Sequence, residues 1–145
     1  MYRVELKKAP IEVRGNRGQR VEVDARYTLT GEVSPSKGGH ADRYDLTSDL
    51  EGLRCSVKSP KFTLMNASLC VAQDKDGIIA EYFERTHSTE WAYVATDGYI
   101  YMMNADEFRK MLQLFCGLSC ESNSPRLKVK HSAVKASEQW LRTQL

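Results

Sequence analysis

No stretch of this chain approaches the roughly 20 consecutive apolar residues that cross a bilayer. The N-terminal MYRVELKKAP carries no apolar signal-peptide region. The expectation is a cytoplasmic, soluble protein with no membrane partner, in which thiols stay reduced. Cysteine is sparse, at four residues. Only Cys116 and Cys120 stand close, as C-x-x-x-C, and a structural zinc site takes about four ligands at characteristic spacing. Cys55, Cys70 and Cys116 lie in apolar patterns and read as core residues. A charge surplus is also missing: 21 Lys+Arg face 19 Asp+Glu, a net +2. Bulk charge therefore selects no partner. There is no G-x-S-x-G, no P-loop, no dinucleotide fingerprint, no internal repeat and no low-complexity tract.

What is present suits one globular domain, 1–145. Hydrophobic residues make up 41% and charged residues 28% of 145 positions. A chain of that size and composition buries a core without staples.

The pattern along the chain is mixed. A short strand is expected at Tyr2–Leu6. QRVEVDARYTLT, 19–30, repeats Val21, Ala25 and Leu29 at four-residue spacing, so a helix is expected, stopped by Gly31. Residues 31–40, GEVSPSKGGH, read as a loop. GLRCSVKS alternates Leu53, Cys55 and Val57 with Arg54, Ser56 and Lys58, a half-buried strand that breaks at Ser59-Pro60. A further strand or short helix spans Leu64–Val71, and Asp74–Gly77 reads as part of a turn. Ile78–Glu84, Trp91–Thr96 and Tyr99–Met103 are expected to form an antiparallel meander, its hairpin turning at Asp97-Gly98. Asn104 with Glu107 spells a capping box for a helix striped by Phe108, Met111, Leu112 and Phe115 and ended by Gly117. Residues 119–125 read as a loop and RLKVKH, 126–131, as a strand. Ser132 is the expected cap of a last helix, Ala133–Arg142. The fold class expected is α+β, with helices and strands mixed around one sheet.

One constellation carries chemistry. Metal-dependent phosphodiester hydrolysis needs acidic oxygens for Mg²⁺, a hard cation. It also needs a positive group beside the phosphate. A strand with an acid two residues before a lysine points both at one phosphate, and a second acid on the preceding strand or turn completes the metal cradle. Lys58 lies on the polar face of its strand, Asp49 precedes it across the Glu51-Gly52 turn, and Glu22 projects from the first helix.

Helix with Glu22, then Asp49, then SVKS followed by PKFTL, resembles the PD-(D/E)xK, or restriction endonuclease-like, nuclease superfamily over residues 17–64, about a third of the chain. The resemblance implies a central mixed sheet flanked by helices and Mg²⁺- or Mn²⁺-dependent cleavage of double-stranded DNA. It makes Lys58 the catalytic lysine, Asp49 the first metal-binding acid and Glu22 the helix glutamate, with Asp45 and Asp42 as competing acids. One departure stands out: the acid two places before the lysine is Ser56 here. Asp49, Asp45 and Glu22 would then hold the metal, with a backbone carbonyl near Ser56. The alternative is a catalytically silent protein on the same scaffold that binds DNA or inhibits a nuclease. The small size suits a restriction- or phage-associated protein. Cutting both strands calls for a homodimer, whereas a monomer nicks.

Phosphate contacts are expected from Arg54, Arg43, Lys61 and Thr63 near the lysine, and from the basic run Arg126, Lys128, Lys130. That run equally suits a solvated strand edge. His40 beside Asp42 reads as a loop residue, and Arg85–Glu90 as a polar connection.

Overall fold

A computed structural model of the chain describes residues 1–12, 20–32, 46–48, 53–60, 63–65, 72, 74–121 and 124–145. The elements run β1 (Tyr2–Glu5), α1 (Arg20–Thr30), β2 (Leu46–Ser48), β3 (Leu53–Lys58), β4 (Thr63–Met65), α2 (Lys75–Arg85), β5 (Glu90–Val94), β6 (Tyr99–Met103), α3 (Ala105–Phe115), β7 (Cys116–Glu121), β8 (Ser124–Val129) and α4 (Val134–Thr143). A five-stranded sheet has the order β1-β6-β5-β3-β2, and a three-stranded sheet the order β4-β8-β7. In the larger sheet β3 and β5 are parallel and every other pair is antiparallel. The expected α+β class, a mixed sheet flanked by helices, is what the chain forms, but the strands expected around one sheet divide between two.

Period-two alternation divides the core between the two faces of this sheet. Cys55, Val57, Ala92, Val94, Ile100 and Met102 pack against Ala25 of α1, with Val21 and Leu29 at the margin. Trp91, Tyr93, Tyr101 and Met103 point the other way and meet Ile78 and Ile79 of α2, Phe108, Met111 and Leu112 of α3, and Leu141 of α4. Leu127, Val129 and Cys116 seal the small sheet onto that same core. Trp91 stacks on Phe108, ring centroids 5.1 Å apart, and its indole N–H donates to the Tyr82 hydroxyl at 2.9 Å.

Polar bonds fix the layers that apolar contact leaves free to slide. Asp24, almost fully buried, accepts from the Ala9 N–H at 2.9 Å, and the Thr28 hydroxyl accepts from the Lys7 N–H at 2.8 Å. These bonds tie α1 to the segment that follows β1. On the other face Glu138 of α4, only 3% exposed, accepts from both the backbone N–H and the hydroxyl of Thr96. Glu138→Ala is expected to lower stability by about 1–3 kcal/mol, because it strands a partly buried N–H. Glu138→Gln, which keeps an acceptor, is expected to lose less. Urea unfolding of the two variants reads the difference.

Five expectations are corrected. Ile78–Glu84 is not a strand but the body of α2. The Asp74 side chain accepts from the Gly77 N–H at 3.2 Å, so the expected turn is a helix cap. A Cβ at Gly77 would collide with Asp74 and Ala72, so the cap needs glycine there. Residues 119–125 are not a plain loop: β7 runs through Glu121 and pairs with β8 from Cys116↔Val129 to Glu121↔Ser124. Gly117 accordingly lies within β7, and α3 ends at Phe115. Ser132 does not cap α4; it sits in a 3-10 turn, His131–Ala133, and α4 begins without a side-chain cap.

The hairpin of β5 and β6 stands as expected, but its loop is Thr96-Asp97-Gly98. The Ala95 N–H donates to the Tyr99 carbonyl and Gly98 takes φ 88°, a three-residue turn. The Asn104–Glu107 capping box is present, with both reciprocal bonds made. Asn104→Ala is therefore expected to cost about 1 kcal/mol, read as a lower urea midpoint at unchanged slope.

Candidate active site

β3 places the residues that the sequence singled out. Its register with β5 pairs Ser56 with Trp91 and Lys58 with Tyr93. Since Cys55 and Val57 face α1, Arg54, Ser56 and Lys58 lie on the opposite face, the one covered by α2, α3 and α4. Helix α3 contacts β5 and β6. Arg54 is exposed and Ser56 and Lys58 are half-buried. A polar strip thus borders the apolar core along β3.

β2 pairs with β3 only from Ser48↔Leu53 to Leu46↔Cys55. Ser56, Val57 and Lys58 therefore lie beyond the last described β2 pair. Beyond Lys58 the chain leaves the sheet at Ser59-Pro60. Lys58 ends a strand that runs parallel to its neighbour, and the carboxyl ends of parallel strands are a common place for ligand contacts.

A straight cross-strand row carries Lys58 into the core. Arg3 on β1 pairs with Tyr101 on β6, Tyr101 with Tyr93 on β5, and Tyr93 with Lys58. Both tyrosines are fully buried. The Tyr101 hydroxyl donates to Asp97 at 2.7 Å, and Asp97 also takes an ion pair from Arg142 of α4 at 3.2 Å. The Tyr93 hydroxyl lies near Ser137 of α4. Burial, reinforced by the nearby Glu138 charge, pushes its pKa up to about 12. Tyr93 and Glu138 did not stand out in the sequence. An aromatic on a strand carries no signal until the register sets it opposite a lysine, nor a glutamate on a helix until packing sets it near that aromatic.

The remaining acids divide. Glu22 is half-buried on α1, and α1 covers the face opposite to Ser56 and Lys58. The sheet itself separates it from the lysine side chain. Asp49, Asp45 and Asp42 lie outside the described residues, as do His40, Arg43 and Lys61. Among the described residues no group of three or more His, Cys, Asp or Glu side chains is gathered closely enough to hold a metal ion. The described donors alone thus do not make a Mg²⁺ cradle.

Of the other predicted contacts, Thr63 belongs to β4 opposite Lys128, and Arg126 and Lys128 lie on β8. Lys130 follows the last residue of β8. Lys128 and Lys130 are exposed and Arg126 is half-buried. Cys55 and Cys116 are buried free thiols, and burial pushes Cys116 up to about 12, far from a nucleophile's range. Among the described residues no helix is long and apolar enough to cross a membrane. Compared with known protein families, with characterised proteins and with solved structures, the chain gives no significant match.

Proposed function

We propose that the chain is a DNA endonuclease that hydrolyses phosphodiester bonds at the Lys58 end of β3. One observation carries the reading. Ser56 and Lys58 share one face of a strand that ends beside a parallel neighbour, past the last described pair with β2. A lysine so placed offers an ammonium to a phosphate and to the charge that develops on it. The partly apolar wall of Trp91 and Tyr93 beside it strengthens that interaction by excluding water.

A divalent cation, Mg²⁺ or Mn²⁺, belongs to the same reading and would supply Lewis-acid chemistry. Asp45, Asp49 and Glu22 are the acids assigned to it by the resemblance. Asp45 is bonded to Leu46, which is opposite Cys55, next to Ser56. Asp49 is bonded to Ser48, which is opposite Leu53, at the far end of β3 from Lys58. Five residues of strand amount to about 17 Å. On this reading Asp45, covalently next to Leu46, is tested beside Asp49 as the first acid. The test is relaxation of supercoiled plasmid in Mg²⁺ or Mn²⁺; absence of nicking over a range of DNA substrates would reject the proposal.

The second reading is a silent DNA-binding protein on the same scaffold. Ser56 in place of an acid favours it, as does the placement of Glu22 on the far face of the sheet. Plasmid binding without nicking is its expected result.

A further inference from the structure

The chain leaves β3 at Lys58 and enters β4 at Thr63, whose register partner on β8 is Lys128. Five residues span at most about 18 Å even when fully extended. Paired strands lie about 4.8 Å apart. Covalent reach alone thus holds the backbone of Lys128 within about 23 Å of the end of β3.

β8 is amphipathic. Leu127 and Val129 are sealed in the core, at 0% and 1% exposure, whereas Lys128 and, just past the strand, Lys130 stand in solvent and Arg126 is half-buried. The positions paired with Lys128 are Thr63 and Gly117, neither of them acidic. Gly117 adds a second feature. A Cβ there would meet the Lys130 Cε at 2.7 Å, so the lysine stem lies across β7 where a side chain would otherwise stand. The cationic row is therefore spread over the sheet. With a net charge of only +2 across the chain, this surplus is local.

We propose that this face of the small sheet, Arg126, Lys128 and Lys130, is a docking strip for the phosphate backbone of duplex DNA, and that it steers the duplex to Lys58. The inference rests on the reading of the Lys58 end as a DNA-cleaving site. Alternate strand positions are about 7 Å apart, so the cations form a rigid row backed by core rather than a set of loose side chains. Contacts of this kind position a duplex and carry no base sequence. One turn of duplex is about 34 Å, so the strip engages phosphates within about one turn of the bond at Lys58.

The experiment is binding of a labelled mixed-sequence duplex in EDTA, where metal-dependent cleavage is off, over a series of salt concentrations. Lys128→Gln and Lys130→Gln are each expected to reduce the slope of log K against log salt by about 1, and the pair by about 2, uniformly across sequences. Both side chains are exposed, so the urea midpoint is expected to hold. Unchanged slopes overturn the strip. Tighter binding of duplex RNA with the same slope loss overturns the assignment to DNA. The two readings separate cleanly. A wild type that binds with these slopes but never nicks keeps the strip and drops the nuclease. A wild type that nicks while the variants keep its slope drops the strip and keeps the nuclease.

Discussion

Lys58→Ala is expected to reduce plasmid nicking by about 10²–10³-fold, the usual loss when one preorganised positive or donating group is taken from a developing anion. Lys58→Arg is expected to recover little. A planar fork does not present a point charge as an ammonium does, and the space beside Tyr93 is set by strand register. The acids supply the internal comparison. Asp45→Ala is expected to fall as far as Lys58→Ala, and Asp49→Ala much less, because β2 sets Leu46 rather than Ser48 next to the lysine's half of β3. Equal losses for Asp45 and Asp49, or a larger one for Asp49, would show that the register does not determine the site. Ser56→Glu puts an acid where the resemblance expects one. In an enzyme limited by that serine it raises the rate; in one that has moved its acid elsewhere it adds negative charge near the phosphate and lowers it. Binding in EDTA, measured alongside, separates lost chemistry from lost affinity.

How much of this was legible in the sequence depends on the range of the signal. β3 was, because Leu53, Cys55 and Val57 alternate strictly with polar residues and the chain breaks at Pro60. The box at Asn104 and the apolar repeat of α1 were too, since both are contained within a few residues. Helix α2 was not. Ile78, Ile79, Tyr82 and Phe83 suit a strand by composition, and the decisive signal was the Asp74 cap, which looks like a turn when followed by Lys-Asp-Gly. The same ambiguity hid β7: Gly117 closes a helix in most contexts, yet here it makes room for Lys130. The site divided in the same way. Lys58 could be named from its strand, but its distance from Glu22 depends on which face α1 covers. That follows from the packing of Ala25 against Cys55 and Val57 and from no local pattern.

Stability is expected to hold up to about pH 9 and then fall steeply towards pH 12, and the cause lies in two buried groups, Tyr93 and Cys116. Tyr93 ionises at 10.0 when free and at about 12 in the fold, because ionisation would place a phenolate in the core beside Glu138. Cys116 moves from 9.0 to about 12 for the first of these reasons, burial. In both, the folded state holds its proton more tightly than the unfolded chain. Each contribution is therefore complete below the unfolded pKa and is lost as pH rises through the window up to the folded one. At 1.36 kcal/mol per pKa unit, Tyr93 accounts for about 3 kcal/mol and Cys116 for about 4 kcal/mol. Those are large against the 5–15 kcal/mol typical of a whole domain. Urea midpoints taken from pH 8 to pH 12 test this. Tyr93→Phe keeps the ring in the core and leaves Ser137 its bond to the Val134 carbonyl at 2.7 Å. Its curve is expected to lie below wild type or level with it at pH 8 and to close on it, or cross it, above pH 10. Cys116→Ala is expected to shift the onset of the fall from about pH 9 to about pH 10. A Tyr93→Phe curve that runs parallel to wild type across the window would mean that the hydroxyl is not held in the core beside Glu138.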